Sequence, residues 1–172
     1  HAKNGRGVNL ITVRKTRIPP DAVDPRIKNY HWLDLIMGTI EALEKGGDLP
    51  LLLDSDGEVT EGAGYNIFMS EGEHIITPER GVLEGITRQT VFDICRSENI
   101  NVGSGRISME KLQGADEVLL TSTAGGIMPV DTVDFAPLPN RSPGRFTQLI
   151  IEKYWQWHES SRWTVEVKSI LP

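Results

Sequence analysis

The chain has 172 residues, of which 38% are hydrophobic, 24% charged and 6% aromatic; this is a globular composition with enough apolar content for one sizeable core, which excludes disorder, collagen and coiled coil. Eighteen Lys and Arg against twenty-four Asp and Glu give a net charge of −6, the wrong sign for a protein that neutralises a phosphate backbone, so no nucleic-acid partner is expected. No apolar run approaches the roughly 20 residues that span a bilayer, no signal pattern opens the chain, and the single cysteine, Cys95, excludes a disulfide framework or a zinc site, so a cytoplasmic protein with no membrane partner is expected.

Val8 to Arg14 is rich in β-branched residues and predicts a strand. Ile18-Pro19-Pro20-Asp21 and then Asp24-Pro25 force extended or turn geometry. From Asn29 to Lys45 the residues Leu33, Ile36, Met37, Ile40 and Leu43 recur near helical spacing, predicting a strongly amphipathic helix that Gly46-Gly47 closes. Pro50 to Leu53 with the turn Asp54-Ser55-Asp56-Gly57 predicts one hairpin. Asn66 to Ser70, Glu71-Gly72-Glu73 and His74 to Thr77 predict a second, and hence an antiparallel sheet in the middle of the chain. Thr87 is expected to cap a helix running to Asn99, and Ser108 a short one through Leu112. Glu117 to Thr121 predicts a buried strand ending in a Ser-Thr-Ala-Gly-Gly turn. Pro137 to Gly144 is expected to be a mobile loop. Phe146, Leu149, Ile150, Tyr154 and Trp157 mark a helix from Arg145 to Ser160, with Trp163, Val165 and Val167 alternating in a terminal strand. With no repeat, linker or low-complexity stretch, the chain is predicted to be one α+β domain.

Three segments break these patterns. In Arg26-Ile27-Lys28-Asn29 a lysine sits between a proline-fixed turn and the predicted helix. The helix dipole and desolvation by Trp32 and Leu33 would bias Lys28 toward its neutral, nucleophilic form, as a Schiff-base lysine requires; the plainer reading is a solvated surface lysine. In Thr60-Glu61-Gly62-Ala63-Gly64-Tyr65-Asn66 a carboxylate heads a glycine-spaced stretch, where it can keep a heterocyclic nitrogen protonated, or simply decorate a hairpin. Two stretches offer backbone N–H groups to a phosphate, Gly85-Ile86-Thr87 at a helix start and Ser122-Thr123-Ala124-Gly125-Gly126 after a strand; ordinary capping and turn formation explain them as well. The four histidines do not cluster and carry no assigned chemistry, and no nucleophile-elbow context supports a hydrolase.

Taken in order, Arg26 to Leu35, Glu61 to Phe68, Arg80 to Arg88 and Thr121 to Pro129 resemble the large domain of the class IV aminotransferases, the fold-type IV pyridoxal-phosphate enzymes, with Glu61 placed 33 residues after Lys28. The resemblance implies a mixed, barrel-like sheet with flanking helices. It implies that Lys28 holds pyridoxal phosphate as a Schiff base and then shuttles a proton, and that Glu61 pairs with the pyridine nitrogen while Leu83 packs on the ring. It also implies that Gly85, Ile86 and Thr87, with the hydroxyl of Ser122 or Thr123, hold the phosphate. Trp32, Ala124 and Gly125 become candidate substrate contacts, and the run from Lys28 to Leu35 looks more like the (R)-selective amine transaminases than the branched-chain enzymes. A smaller N-terminal domain completes the pocket in this family, and a homodimer is implied. Nothing before Val8 can be that domain, so the expectation is a portion of a longer protein, or a degenerate stand-alone copy, that turns over slowly or not at all by itself. The functions weighed are amino transfer from an amine or amino acid to a 2-oxo acid, carbon–carbon lysis of the aminodeoxychorismate lyase type, and a non-catalytic remnant.

Overall fold

The β-branched run near the start folds as β1 (Val8–Thr16), the first strand of a computed structural model that describes residues 7–140 and 142–165. Its side chains alternate between two apolar environments: Val8 and Leu10 enter one cluster, Ile11 and Val13 another. A strand covered on both faces needs apolar residues on both parities, which is why the run is nearly continuous. The chain then crosses over through α1 (Leu33–Glu44) and returns as β2 (Leu49–Leu53), parallel to β1 with Leu10 opposite Leu49 and Thr12 opposite Leu51. The turn of the first predicted hairpin, Asp54–Gly57, forms and sends the chain back antiparallel along the free edge of β2: Leu53 bridges Val59, the Asp54 N–H donates to the Glu58 carbonyl at 2.9 Å and the Thr60 N–H to the Leu52 carbonyl at 3.1 Å, although this return leg is not a regular strand. Not expected from sequence is the parallel pairing of β2 with β1 on its other edge.

The second hairpin is present as β3 (Asn66–Glu71) and β4 (His74–Pro78), followed by α2 (Ile86–Ser97) and β5 (Asn101–Gly105) parallel to β4. Next come α3 (Met109–Gln113), capped by the Ser108 hydroxyl as predicted, then β6 (Glu117–Ser122), β7 (Gly126–Val133) and the short β8 (Ala136–Pro137). The sheet order is β2-β1-β7-β6-β3-β4-β5, with β8 on β7. The middle of the sheet, β7-β6-β3-β4, is antiparallel as expected, and parallel pairs flank it, β1 with both β2 and β7 on one side and β4 with β5 on the other, so the sheet as a whole is mixed. The α+β class and the mixed sheet with flanking helices are as expected. One face of the sheet carries a core that includes Leu51, Ile67, Met69, Leu120 and Val130, while α2 and α4 (Arg145–His158) pack on Phe68, Leu119 and Ile127 of the other.

Two helix starts and the segment after the last helix differ from expectation. α1 starts at Leu33 rather than Asn29, since Asn29 folds the preceding residues into turns: its amide donates to the Ile27 carbonyl (2.8 Å) and its carbonyl oxygen accepts from the His31 N–H (2.9 Å). α2 begins after Gly85 without a side-chain cap, and Thr87 lies buried inside its first turn instead of capping it. Beyond α4 the described chain to residue 165 forms turns, with Trp163 stacked on Trp157 at 4.5 Å and 6°, and Val167 lies outside the described residues. The predicted apolar stripe of α1 also faces outward: Leu33 is 72% exposed and Leu43 59%, whereas Leu35, Gly38, Glu41 and Ala42 form the buried side.

Candidate active site

Four connections end at one side of the sheet and enclose a cavity of about 560 Å³: β1–α1, β2–β3, β4–α2 and β6–β7. This volume lies within the range of small-molecule sites. Its wall brings together Lys28, Trp32, Glu61, Leu83, Ser122, Thr123, Ala124 and Gly125 of the residues singled out from sequence. Gly85, Ile86 and Thr87 stand at the start of α2, two to four residues past Leu83, and do not line the cavity itself.

Lys28 lies in the turn segment five residues before α1, exposed, with its ammonium over the Trp32 ring at 5.8 Å from the centroid. The dipole argument made for it from sequence is corrected: the effect falls off within the first turn, and Lys28 is outside that turn. Leu33, 72% exposed, does not desolvate it either. Trp32 is itself fixed, its indole N–H donating to the Asn29 carbonyl at 3.0 Å.

Glu61 is 5% exposed and sits in an extended segment whose backbone bonds back to β2, the Leu52 N–H donating to its carbonyl at 3.1 Å. A turn through Gly62 and Tyr65 follows. Position 62 must be glycine because a Cβ there would collide with the Tyr65 ring, whose hydroxyl donates to the Pro50 carbonyl. The glycine spacing thus accommodates the protein's own tyrosine. One carboxylate oxygen of Glu61 accepts from Arg17 Nε (3.2 Å) and Nη2 (3.1 Å), the other from the Leu83 N–H (2.8 Å) and Asn66 Nδ2 (3.1 Å). Arg17 Nη1 donates to Asp34 Oδ2 at 2.7 Å, and the Ile18 N–H donates to the same oxygen at 2.9 Å. Burial pushes the Glu61 carboxyl above its ordinary range, while the Leu83 amide and Arg17 oppose that shift.

Arg17, Asp34 and Asn66 were not singled out from sequence. The available signal was Asp34 itself, a lone carboxylate inside Trp32-Leu33-Asp34-Leu35, which calls for a buried partner. Asn66 is the joint of the site: besides Glu61 it donates to the Leu83 carbonyl at 2.8 Å, and its Oδ1 fills the space that a side chain at Gly85 would need.

At the other end, Ser122 Oγ accepts from the Gly125 N–H at 2.8 Å and holds the β6–β7 turn, which Gly126 closes at φ 67. Thr123 and Ala124 are exposed in that turn. These features fit an aromatic ring bearing a phosphate and an aldehyde: a buried carboxylate for a ring nitrogen, Leu83 for the ring, a lysine for the aldehyde, and an uncapped helix start with free N–H groups for an anion. Among the described residues no cluster of His, Cys, Asp and Glu is arranged for a metal, and no helix is long and apolar enough to cross a membrane.

The family model for amino-transferase class IV matches residues 1–133. A branched-chain-amino-acid aminotransferase of Pseudomonas aeruginosa is 30% identical over 87% of this chain and 50% of its own length. The D-alanine aminotransferase of Bacillus licheniformis is 32% identical over 72% of this chain and 44% of its own. The crystal structure of the branched-chain amino acid aminotransferase from Thermobaculum terrenum, in its pyridoxal-phosphate form, superposes with a TM-score of 0.89 at 27% identity, covering 94% of this chain and 55% of that one. The chain spans about half the length of these relatives, and about a third of a branched-chain-amino-acid aminotransferase-like protein of Arabidopsis thaliana.

Proposed function

The chain belongs to the class IV aminotransferase family, whose cofactor is pyridoxal phosphate, and on that premise we propose that its parent protein transfers an amino group from an amine or amino acid to a 2-oxo acid. The observation that carries the proposal is the single cavity on whose wall Lys28, Glu61 and the Ser122–Gly125 turn meet. When bound, the cofactor supplies an aldehyde and an electron sink. Lys28 is the residue to hold it covalently as a Schiff base and, once released, to move the proton at the substrate Cα. Glu61 is the group to keep the ring nitrogen protonated, Leu83 to pack on the ring, and the N–H groups of Ile86 and Thr87 with the Ser122 or Thr123 hydroxyl to hold the phosphate.

Trp32, beside Lys28, and the Ala124–Gly125 backbone bound the side on which substrate enters, and the run Lys28 to Leu35 supports (R)-amines among the donors; the relatives' names support branched-chain and D-amino acids. The exposed face of α1, next to this mouth, supports a homodimer, and the lack of a membrane-crossing helix among the described residues is consistent with a cytoplasmic protein. The test is borohydride reduction of the full-length protein with pyridoxal phosphate, followed by peptide mapping, with an (R)-amine, a branched-chain L-amino acid and D-alanine compared as donors to a 2-oxo acid. Label on Lys28 and turnover with one donor class are expected; label on another lysine overturns the site.

A further inference from the structure

The buried charges around Glu61 do not cancel. Arg17, Asp34 and Glu61 are each about nine-tenths buried or more as side chains, and together they hold one guanidinium against two carboxylates. Arg17 spends Nη1 on Asp34 and both Nε and Nη2 on a single oxygen of Glu61, so its fork ties the start of α1 to the β2–β3 segment. Asp34 also accepts from the Ile18 N–H, which brings together the two ends of the segment that carries Lys28. The same clamp therefore reaches both cofactor-facing groups. The other titratable groups near Glu61 are already engaged: the Tyr65 hydroxyl donates to Pro50, and Arg88 on α2 donates to the Pro78 carbonyl at 3.1 Å; Lys28 shares the cavity wall.

Resting on the function proposed above, we propose that Arg17, with Asp34 as its counter-ion, is a positioning residue that sets the charge and orientation of Glu61 toward the cofactor's ring nitrogen. The surplus negative charge of the trio is the complement of one cation, and a protonated ring nitrogen is that cation. Arg17 does not touch the cofactor; it determines how strongly Glu61 attracts a proton. Asp34 moderates it by drawing off part of the guanidinium's field.

The two residues then act with opposite signs, which a merely structural role does not produce. The test is a carbon-13 NMR titration of the Glu61 carboxyl in the cofactor-free full-length protein, assigned with Glu61→Gln, together with the cofactor dissociation constant by absorbance titration. Arg17→Met leaves two carboxylates without a cation and is expected to raise the Glu61 midpoint by about one to three pH units. Asp34→Asn directs the whole guanidinium at Glu61 and is expected to lower it. Arg17→Met/Asp34→Asn restores the net charge and returns the midpoint toward wild type, and Arg17→Lys, which keeps the charge, stays nearer to wild type than Arg17→Met. Cofactor affinity is expected to fall about 10- to 100-fold in Arg17→Met, the scale seen for partners that orient a binding group. Shifts of the same sign in Arg17→Met and Asp34→Asn, or none, overturn the inference. If Arg17→Met does not fold, an unchanged or raised midpoint in Asp34→Asn overturns it alone. Opposite shifts in the two variants, combined with a wild-type protein that binds no pyridoxal phosphate, overturn the proposed function and the clamp's assignment to that cofactor, while leaving the charge coupling in place.

Discussion

At the level of single residues, Lys28 and Glu61 occupy opposite settings on one cavity wall: the lysine is exposed, and the carboxylate is buried and held by four donors. That set of donors makes Asn66 sensitive. Asn66→Ala removes one donor from Glu61 and the donor to the Leu83 carbonyl, and leaving buried acceptors short costs about 1–3 kcal/mol, to be read from urea unfolding with an unchanged m-value. Cys95 gives a second prediction. Burial pushes its thiol up to about 12, and its side chain is 0% exposed, so at neutral pH it holds its proton and folded protein takes up no alkylating reagent at this position. Intact mass after iodoacetamide treatment checks this; modification without prior unfolding sinks it. Lys28, Glu61 and Ser122 were legible as candidates because each interrupts a local pattern. Arg17 was not, and Asp34 offered only a lone carboxylate in an apolar run, because Arg17 bonds to positions 17 and 44 residues away, Asp34 and Glu61, which only the fold brings together.

At the level of elements, α1 shows what periodicity does and does not determine. Leu33, Ile36, Met37, Ile40 and Leu43 do lie on one helical face, but that face points away from the sheet, and the buried side is made by Leu35, Gly38 and Ala42 with Glu41. Glu41 is tolerated there because the Arg14 N–H donates to it at 3.1 Å and Lys45 pairs with it at 2.9 Å. Small residues on the packed side let the helix approach β1 and β2 closely, and the larger apolar side chains are left for another surface. Under the proposed homodimer, Met37→Glu or Ile40→Glu in the full-length protein is expected to shift sedimentation toward monomer, with circular dichroism unchanged. An unaltered dimer would remove α1 from the interface. α4 illustrates a cap that no local rule finds: Gly144 offers none, and Glu117 from β6 accepts from the Phe146 and Thr147 N–H groups at 3.1 and 2.8 Å. Glu117→Ala is expected to cost about 1–2 kcal/mol in denaturant unfolding, the scale of losing a charged N-terminal cap.

At the level of the whole molecule, the α+β class and the antiparallel middle of the sheet followed from sequence patterns, but the parallel pairs that flank it did not. A turn signal such as Asp54–Gly57 reports only that the chain reverses locally, whereas β2 pairs with β1 across the α1 crossover, a choice made by burying both faces of β1. The site sits where that topology gathers four loops, so its central carboxylate is buried by the whole fold, with a consequence for stability. Glu61 has its carboxyl raised above the ordinary 4.5 by burial, against the Leu83 amide and Arg17. The folded protein therefore keeps this proton to higher pH than the unfolded chain does, and the stability Glu61 contributes is present below about pH 4.5 and lost as pH rises through the folded-state value. Glu61→Gln cannot ionise and escapes that loss. Without cofactor, the stability of Glu61→Gln minus that of the wild type is expected to increase as pH goes from about 4 to about 8, measured by urea unfolding of the full-length protein. With pyridoxal phosphate at about a hundredfold excess over its dissociation constant, the wild type gains about 2.7 kcal/mol at neutral pH, and Glu61→Gln gains less at the same concentration because the partner for the ring nitrogen is gone. A difference that stays flat with pH would mean that Arg17 and the Leu83 amide fully offset the burial of the carboxylate. A gain from cofactor that is equal in both proteins would place the ring nitrogen elsewhere than at Glu61.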